Sequence, residues 1–445
     1  MMNTPICDFV KNYVAQNKIR MHMPGHKGSD CLGFEAFDIT EITGADSLYE
    51  AKGIIAESER NASALYGHPT FYSTEGSSHC IRAILYLCLL NAKQNGLSPT
   101  VLAGRNAHKT FVSAAALLDF DVQWIYPDEN ESYLACSVTP EKVAEALSSM
   151  DKIPAAVYIT SPDYLGNVAD IKGIAEVCHR FGTLLAVDNA HGAYLKFLQT
   201  SQHPADLGAD MCCDSAHKTL PVLTGGAYLH IAKDLSVLAD EVKNALALFG
   251  STSPSYLILQ SLDMANKVLS DGYAEGLTSA VESIKTLNQN LSQKGYRLVG
   301  NEPMKITIDA KAYGYTGDQL AQILTKQGIE CEFADSDYLV LMPSVDTQPH
   351  HFEQVEKVMV DIPQKAPILT CAPYFALPKQ IMTIRDATLS LREILPTSQC
   401  EGRVLSQPTV SCPPAVPILV SGELIDADAI KRFEYYGIKE LTVVK

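Results

Sequence analysis

The sequence lacks the features that would place it in a membrane, in the secretory pathway or on nucleic acid. No uninterrupted apolar run in its 445 residues approaches the roughly 18 residues of a membrane span. The N-terminus carries Asp8 and Lys11 where a signal peptide needs an apolar segment. Basic residues are too few for a nucleic-acid-binding protein. The chain has 35 lysines and arginines against 51 acidic residues, which gives a formal net charge of -16. This charge argues against a nucleic-acid partner and weakly favours cationic small molecules.

Cysteine is present, but it lacks the spacing of a metal site or of a disulfide framework. None of the 12 cysteines form a Cys-x-x-Cys pair, and Cys80 and Cys88 lie in an apolar pattern with helical spacing. We therefore predict buried thiols, no disulfide, no metal and a location in the cytoplasm. With 47% hydrophobic and 19% charged residues, the chain can bury a large core, and its length suggests two or three domains.

Apolar strands alternate with helical patterns through the first two thirds of the chain. Strands are predicted at 101–104, 155–160, 184–188 and 211–215, with helices between them. Such alternation predicts an α/β fold with a mainly parallel sheet covered by helices on both faces. After Gly295 the strands and helices become shorter, and one strand is predicted at 329–333. We predict a large cofactor-binding domain over residues 1–294 and a smaller α+β domain over residues 295–445.

A carboxylate and a lysine follow one another in a suggestive order. Asp188 ends the apolar run 183–188, and ligands collect at the carboxyl ends of parallel strands. Lys218 stands thirty residues later, and a lysine amine in a dry pocket can form a Schiff base with the aldehyde of pyridoxal 5'-phosphate. A buried carboxylate against the pyridine nitrogen would keep that nitrogen protonated. The alternative is that Asp188 only ends a strand and Lys218 is a surface lysine.

Lys218 is one of three lysines that follow a histidine, together with Lys27 and Lys109. Only Lys218 follows a strand that ends in an acid, at a distance that leaves room for a connecting segment and one neighbouring strand. His191, three residues after Asp188, could reach the hydroxyl group of the cofactor ring. These relations favour Lys218 as the cofactor lysine.

Three other segments carry groups that suit a phosphorylated, flat cofactor. Gly76-Ser77-Ser78 begins a helix, where backbone N–H groups and hydroxyls can bind an anion, although such turns also serve as ordinary caps. Ser215 and His217 stand beside the candidate lysine. His108 lies where a strand runs into a helix, so its ring could stack on the cofactor, cap the helix or pack in the core.

Together these segments resemble the Orn/Lys/Arg decarboxylase family of fold type I pyridoxal-phosphate enzymes, in its short form. The resemblance covers nearly the whole chain in order: His22-Met-Pro-Gly-His-Lys27, Gly76-Ser-Ser78, Arg105-Asn-Ala-His-Lys109, Asp188-Asn-Ala-His-Gly192, Ser215-Ala-His-Lys-Thr219, Thr252-Ser-Pro-Ser-Tyr256 and a proline-rich tail. It implies an aspartate-aminotransferase-like large domain with a mainly parallel seven-stranded sheet. It further implies decarboxylation of arginine, lysine or ornithine to a polyamine-type amine and CO2.

The resemblance also assigns roles to the candidate residues. Lys218 would carry the cofactor, Asp188 would pair with the pyridine nitrogen, and His108 would stack on the ring. The phosphate would be held by a group of hydroxyls, an imidazole and the glycine turn, namely Gly76, Ser77, Ser78, Ser215 and His217. Thr252 or Ser253 would reach the cofactor of a neighbouring subunit, which implies a homodimer or a higher homo-oligomer.

The chain departs from the family pattern at four positions, where Glu75, His79, Asn189 and Ala415 stand. A carboxylate near a phosphate is unfavourable unless it is paired or points away. Two alternatives therefore stay open beside decarboxylation. One is an aminotransferase or an aldol-type lyase on the same fold, with Arg385, Arg392 or Arg403 binding the substrate carboxylate. The other is a catalytically reduced relative that binds the cofactor or a partner.

We expect Lys218 to be the sole covalent attachment point of the cofactor. Borohydride reduction of the cofactor-loaded protein followed by peptide mapping should place the label on Lys218. The two other lysines that follow a histidine serve as internal controls, because they share the dipeptide but lack the preceding acid. Label on Lys27 or Lys109 would overturn the assignment.

Overall fold

The apolar runs of the sequence form strands, and the amphipathic patterns between them form helices. The structure is a computed structural model that describes residues 2–129, 131–373, 377–408 and 414–445. Its strands are β1 Thr70–Ser73, β2 Ser98–Gly104, β3 Asp121–Ile125, β4 Pro154–Thr160, β5 Leu184–Asp188, β6 Met211–Asp214, β7 Ala227–Ile231, β8 Arg297–Val299, β9 Ile306–Asp309, β10 Phe333–Ala334, β11 Tyr338–Leu341, β12 Arg392–Pro396, β13 Leu405–Gln407 and β14 Glu440–Val444.

The helices lie where apolar residues recur at helical spacing. They are α1 Pro5–Ala15, α2 Ile54–Tyr66, α3 Ser77–Asn95, α4 Lys109–Leu118, α5 Pro140–Ser149, α6 Ile171–Phe181, α7 Ala216–Thr219, α8 Ser236–Ala239, α9 Val242–Phe249, α10 Tyr256–Ser270, α11 Tyr273–Lys294, α12 Gly317–Thr325, α13 Pro349–Asp361, α14 Ile384–Leu389 and α15 Ala427–Tyr435. Among the residues described, none of these helices has both the length and the apolar character needed to cross a membrane.

The largest sheet has seven strands in the order β1-β7-β6-β5-β4-β2-β3. Neighbours β5 and β6 are parallel, as are β2 and β3. Strand β7 runs antiparallel to both β6 and β1, so the sheet is mixed but mostly parallel. The four residues of β6 and the five of β7 are all buried, as expected for strands covered on both faces. The predicted α/β fold with a mainly parallel seven-stranded sheet is confirmed.

The described residues form two compact units. The first contains residues up to Ser98 together with Asp151–Tyr158 and Ile171–Gly276. The second contains the described residues of Pro99–Met150, Ile159–Asp170 and Leu277–Lys445. The predicted division into domains of residues 1–294 and 295–445 stays a prediction.

The core of the first unit is rich in large side chains. Tyr66, Tyr72, Tyr228 and Tyr256 have no exposed surface. The ring of Tyr66 packs against that of Tyr228 with centroids 5.4 Å apart, and that of Tyr72 lies 5.8 Å from the same ring. These contacts join helix α2 and strand β1 to strand β7 beneath the carboxyl ends of the neighbouring strands.

The second unit contains two smaller antiparallel sheets, β10-β11-β9-β8 and β12-β14-β13. This arrangement agrees with the predicted short α+β elements, but the strand predicted over residues 329–333 is wrong for most of its length. Gly328 adopts a left-handed φ of +75°, and the N–H of Ile329 donates to the carbonyl of Leu324 at 3.0 Å. These residues end helix α12, so pairing begins only at Phe333.

The prediction that the cysteines are all buried is wrong at two positions. Cys31 and Cys371 are exposed, and both lie in segments without regular structure. Cys80 and Cys88 are buried on helix α3, as predicted. Cys412 lies outside the described residues.

A buried ion pair in the second unit fixes the segment that follows strand β2. Arg105 Nη2 lies 2.9 Å from Glu423 Oε2, and the two side chains are 4% and 1% exposed. The same guanidinium donates to the carbonyl of Ile418, and the N–H of Val420 donates to Glu423. Arg105 stands three residues before His108, the cap of helix α4, so this pair holds the segment that leads into the helix.

Replacing Glu423 by glutamine should destabilise the second unit strongly. Glu423→Gln keeps the shape but leaves the buried Arg105 charge without its carboxylate, which typically costs about 3 to 5 kcal/mol. Asp428→Asn is the control, because its ion pair with Lys431 is exposed and such pairs contribute under about 1 kcal/mol. Urea unfolding of both variants checks the difference, and equal small losses would contradict the assigned role.

Candidate active site

Parallel pairing of β5 and β6 brings the two main candidate segments to one edge of the sheet. Asp188 is the last residue of β5 and pairs with Cys213 of β6. Ser215 follows β6 directly, and Lys218 lies on the short helix α7 that begins after Ser215. The N–H of Lys218 donates to the carbonyl of Ser215 at 2.9 Å, so the helical turn fixes the lysine backbone. The sequence order of acid and lysine thus becomes proximity in the fold.

Asp188 is a buried carboxylate with few hydrogen-bond donors. Its side chain is 2% exposed, Tyr158 donates to Oδ2 at 3.1 Å, and the N–H of Ala190 donates to Oδ1 at 3.1 Å. Burial raises the pKa of Asp188 above its ordinary value, against the opposing effects of Lys218 and of these two donors. A carboxylate in this state favours a cationic partner, as a protonated pyridine nitrogen would be.

The amine of Lys218 contacts an imidazole of the segment that follows Asp188. Lys218 Nζ lies 3.0 Å from His191 Nε2, and His191 is 5% exposed. The lysine itself is half-buried. The structure therefore brings Lys218, Asp188 and His191 together, and their roles toward a cofactor stay predictions.

Two serines meet at the start of a long helix. Ser215 Oγ donates to Ser77 Oγ at 2.7 Å, and Ser77 is the first residue of the nineteen-residue helix α3. Gly76 precedes it with φ +74° and ψ 176°, a conformation that side chains other than hydrogen resist. The N–H of Gly76 donates to the carbonyl of Gly225 at 2.7 Å. Hydroxyls at the start of a helix, where the helix dipole is positive, suit a phosphate.

His217 and Ser78 lie beside this cradle. His217 Nδ1 contacts the carbonyl oxygen of Gly226 at 3.1 Å, which requires a hydrogen on Nδ1. Burial, together with the neighbouring Lys218, lowers the pKa of His217. The ring is therefore neutral near pH 7, and its Nε2 is a hydrogen-bond acceptor. A bound phosphate would favour protonation of Nε2. Ser78 is half-buried in the first turn of α3.

Two of the departures from the family pattern have structural explanations. The carboxylate of Glu75 accepts the N–H of Ser251 at 2.6 Å and is exposed, so it is paired at a position next to the phosphate turn. His79 has no exposed surface and contacts Ser73 Oγ at 2.8 Å and the carbonyl of Leu246 at 2.7 Å. Both residues hold neighbouring segments in place.

A third departure, Asn189, belongs to a buried network that the sequence analysis missed. Asn189 Nδ2 donates to Asp214 Oδ1 at 2.6 Å. Nε2 of His203 lies 3.1 Å from Asp214 Oδ2, and Nε2 of His230 lies 3.0 Å from the same oxygen. All four side chains are fully buried. The only signal in the sequence was an acid directly before Ser215, and nothing there linked it to two distant histidines.

His203, Asp214 and His230 have the donor types of a metal site, but the hydrogen bonds of His203 do not suit one. Nδ1 of His203 accepts the N–H of Ala205 at 3.4 Å, which places the ring hydrogen on Nε2. Metal-bound histidines show the opposite pattern, with Nδ1–H donating to an acceptor. The cluster is a carboxylate held by N–H donors.

His108 lies in the second unit as the cap of helix α4. Its Nδ1 accepts the N–H of Thr110 at 3.2 Å, so the capping alternative left open by the sequence is realised. The N–H of Lys109 donates to the carbonyl of Ala415 at 2.8 Å. Ala415, the fourth departure, adopts φ +56°, a region that favours glycine. Capping uses the edge of the His108 ring and leaves stacking through its face as a prediction.

Thr252 and Ser253 are exposed in the first unit. The cap of the following helix α10 is Ser255, whose Oγ accepts the N–H of Ile258 at 3.4 Å. The two predicted residues therefore do not serve as the helix cap.

The residues present fit pyridoxal phosphate. The first unit offers a half-buried amine, a buried carboxylate that favours a cation and a hydroxyl-lined helix start, which follow strands β6, β5 and β1 of one sheet. A glycine stands where the turn needs a left-handed residue. Such a donor set matches the aldehyde, ring nitrogen and phosphate of this cofactor.

Comparison with known proteins agrees with this geometry. The family described as "Orn/Lys/Arg decarboxylase, major domain" matches residues 4–299. An arginine decarboxylase of Bacillus subtilis is 28% identical over 96% of this chain and 92% of its own length. An arginine decarboxylase of Halalkalibacterium halodurans is 28% identical over 95% of this chain and 91% of its own length.

Solved structures show the same fold at lower identity. The lysine decarboxylase LdcF of Francisella novicida superimposes with a TM-score of 0.79 at 16% identity, over 99% of this chain and 81% of its own. The constitutive lysine decarboxylase of E. coli gives a TM-score of 0.74 at 17% identity, over 100% of this chain and 82% of its own. An alanine–glyoxylate aminotransferase of Nostoc shares the fold with a TM-score of 0.55.

The family match covers more than half of the chain, and the strand order, the cofactor-compatible site and the structural neighbours agree with it. The chain therefore belongs to the Orn/Lys/Arg decarboxylase family, whose members are pyridoxal-phosphate-dependent amino acid decarboxylases of fold type I.

Proposed function

We propose that this protein decarboxylates arginine, lysine or ornithine, releasing CO2 and the corresponding polyamine-type amine. The observation that carries the proposal is the arrangement of Lys218 beside His191 and buried Asp188 within a chain of this family. The names of the relatives called arginine decarboxylase support arginine as the first of the three substrates to test. A role in polyamine biosynthesis and a location in the cytoplasm accompany this proposal.

The chain's own groups divide the work of the reaction. Pyridoxal phosphate, when bound, supplies an electron sink for the pair of electrons left by the departing CO2. Lys218 is proposed to hold the cofactor covalently and to be displaced by the substrate amine. Asp188 is proposed to keep the ring nitrogen protonated, which its burial supports because a buried carboxylate is stabilised by a cationic partner. His108 is proposed to stack on the ring and restrict its orientation.

His191 is proposed to exchange a proton with the amine of Lys218. Their nitrogen atoms lie 3.0 Å apart, within the range for direct transfer. A neutral imidazole at this position accepts a proton from the ammonium form of the lysine, which must lose it before the nitrogen can attack. The same pair can return a proton when Lys218 is displaced by the substrate.

The phosphate is proposed to lie at the start of helix α3. Ser77, Ser78 and Ser215 supply hydroxyls, and Gly76 permits close approach of the backbone. His217 is neutral in the free site, so contact between its Nε2 and a phosphate oxygen requires uptake of a proton. We therefore expect cofactor binding to be tighter below pH 7 than above it.

The aminotransferase alternative receives no support from the arginines proposed for it. Arg403 contacts Glu393 at 2.6 Å and the carbonyl of Val444 at 2.7 Å. Arg385 donates to the carbonyl of Ala116 at 2.8 Å, and Arg392 is exposed. Two of the three are thus bound to other groups. The paired Glu75 and the buried His79 likewise weaken the case for a catalytically reduced relative.

A panel of amino acids tests the proposed reaction directly. The cofactor-loaded protein is incubated separately with arginine, lysine and ornithine, and CO2 and 2-oxo acids are measured in parallel. We expect CO2 from at least one of the three, arginine first, and no 2-oxo acid. The matched control is Lys218→Ala, which should release no CO2. Formation of 2-oxo acid would support the aminotransferase, and a bound cofactor without turnover of any substrate would support the inactive relative.

We also propose that two subunits share each site in a homodimer. Thr252 and Ser253 are exposed and do not cap helix α10, so their hydroxyls are available to an anion on another chain. Glu75 fixes the preceding residue through the N–H of Ser251, which orders this segment. Under the proposal Thr252 or Ser253 completes the phosphate site across a two-fold axis.

Mixing two inactive variants tests the shared site. Lys218→Ala subunits are combined with subunits that carry both Thr252→Ala and Ser253→Ala. The mixture is kept under conditions that allow subunits to exchange. If subunits share sites, hybrids should recover activity up to about one intact site in two. The control is each variant mixed with itself. A fully active monomer, or hybrids that form without recovering activity, would contradict the shared site.

A further inference from the structure

The buried carboxylate of Asp214 is not used by the reaction described above, although it lies directly before Ser215. Its side chain has no exposed surface, and neither have those of Asn189, His203 and His230, which contact it. The ring of Tyr66 covers both histidines, with centroids 5.3 Å from His203 and 4.5 Å from His230. A carboxylate so far from water requires strong compensation, so its presence calls for an explanation.

Asp214 is attached to both halves of the cofactor site. On one side it is the residue before Ser215, which donates to Ser77 in the phosphate cradle. On the other side its Oδ1 accepts from Asn189 at 2.6 Å, and Asn189 directly follows Asp188. The N–H of Asn189 also donates to the carbonyl of Cys213 at 3.0 Å. The network therefore fixes the ends of strands β5 and β6 relative to each other.

Asp214 is also a fixed negative charge. Burial alone would raise its pKa, but His203 and His230 hold the pKa of Asp214 below its ordinary value. Burial lowers the pKa of His230, whose Nε2 lies 3.0 Å from Asp214 Oδ2 and whose Nδ1 lies 3.0 Å from Thr70 Oγ1. The other titratable groups that face Asp214 are Tyr66, Cys80, Asp188, Cys212, Cys213 and Tyr228.

These six neighbours do not cancel the charge of Asp214. Burial raises the pKa of the three thiols and of the two phenols, so all five are neutral near pH 7. The sixth neighbour, Asp188, is also an acid and therefore cannot offset a negative charge. Asp214 contributes to the raised pKa of Asp188. Lys218 lowers the pKa of Asp188, contacts His191 and is flanked by His217.

We propose that Asp214 is a positioning residue of the cofactor site, whose fixed negative charge stabilises the cationic form of the cofactor bound at Lys218 and whose contact with Asn189 orients Asp188. The proposal rests on the proposed function, because Lys218 must bear the cofactor. It assigns to Asn189, a departure from the family pattern, the task of joining this charge to the residue that faces the ring nitrogen.

A pH titration of the bound cofactor tests the charge effect. Asp214→Asn removes the charge and keeps the shape, so the visible absorbance change of the bound cofactor should move to lower pH. A shift of about one pH unit is expected for a unit charge about 10 Å away at an effective dielectric constant of about 20. The sign follows because loss of a nearby anion makes the cation easier to deprotonate.

Asp210→Asn is the matched control. Asp210 stands directly before the same strand, is 6% exposed, and binds the N–H of Leu185 and a histidine, His179. It lies at the opposite end of β6 from the site, so its variant should lose stability without moving the absorbance transition. Thermal unfolding of both cofactor-free variants measures the stability change separately from the cofactor.

The outcomes separate failure of this proposal from failure of the proposed function. If the unaltered protein binds no cofactor at Lys218, the proposed function fails. If Asp214→Asn binds it and the transition stays where it was, or moves equally in Asp210→Asn, the charge effect is overturned. Should Asp214→Asn not fold, Asn189→Ala removes the link to Asp188 alone. We expect this variant to lose much of the visible circular dichroism of the bound cofactor, and an unchanged signal would overturn the positioning role.

Discussion

The parallel pairing of β5 with β6 is the constraint on which the site depends. It places the carboxyl end of one strand, with Asp188, next to the end of the other, from which Ser215 and Lys218 continue. Neither strand is long, and a shift in register would move Asp188 away from the lysine. The buried hydrogen bonds of Asp214 act at the same edge and oppose such a shift. Chemistry and fold stability thus share one set of contacts.

Much of the fold was predictable because local patterns and tertiary environment agree. Strand β5 has the predicted bounds of 184–188, and strand β4 begins one residue before its predicted start at 155. Proximity within the candidate site was predictable where its residues are neighbours in the chain, as for Ser215 and Lys218. The prediction failed at 329–333, where the sequence has strand-forming residues but hydrogen bonding to the preceding helix prevails.

The Asp214 network could not be predicted because its members are far apart in the sequence. His203 lies in a turn and His230 in the antiparallel strand β7, so only the completed sheet brings them to one carboxylate. The roles of Glu75 and His79 were hidden for the same reason. Leu246, the partner of His79, lies in helix α9, and Ser251, the partner of Glu75, lies in the loop after that helix. The departures from the family pattern identified these positions in the sequence. Their roles became clear only when the fold showed which residues they contact.

The bond between Glu75 and the backbone of Ser251 links the evolution of two positions. The carboxylate stands next to the proposed phosphate turn, and a peptide N–H at 2.6 Å offsets part of its charge. Proline has no N–H, so it is excluded from position 251 for as long as residue 75 is acidic. Other residues at position 251 keep the same donor, because the bond uses the backbone. Glu75 thus excludes proline from position 251 and places no other restriction on the side chain at that position.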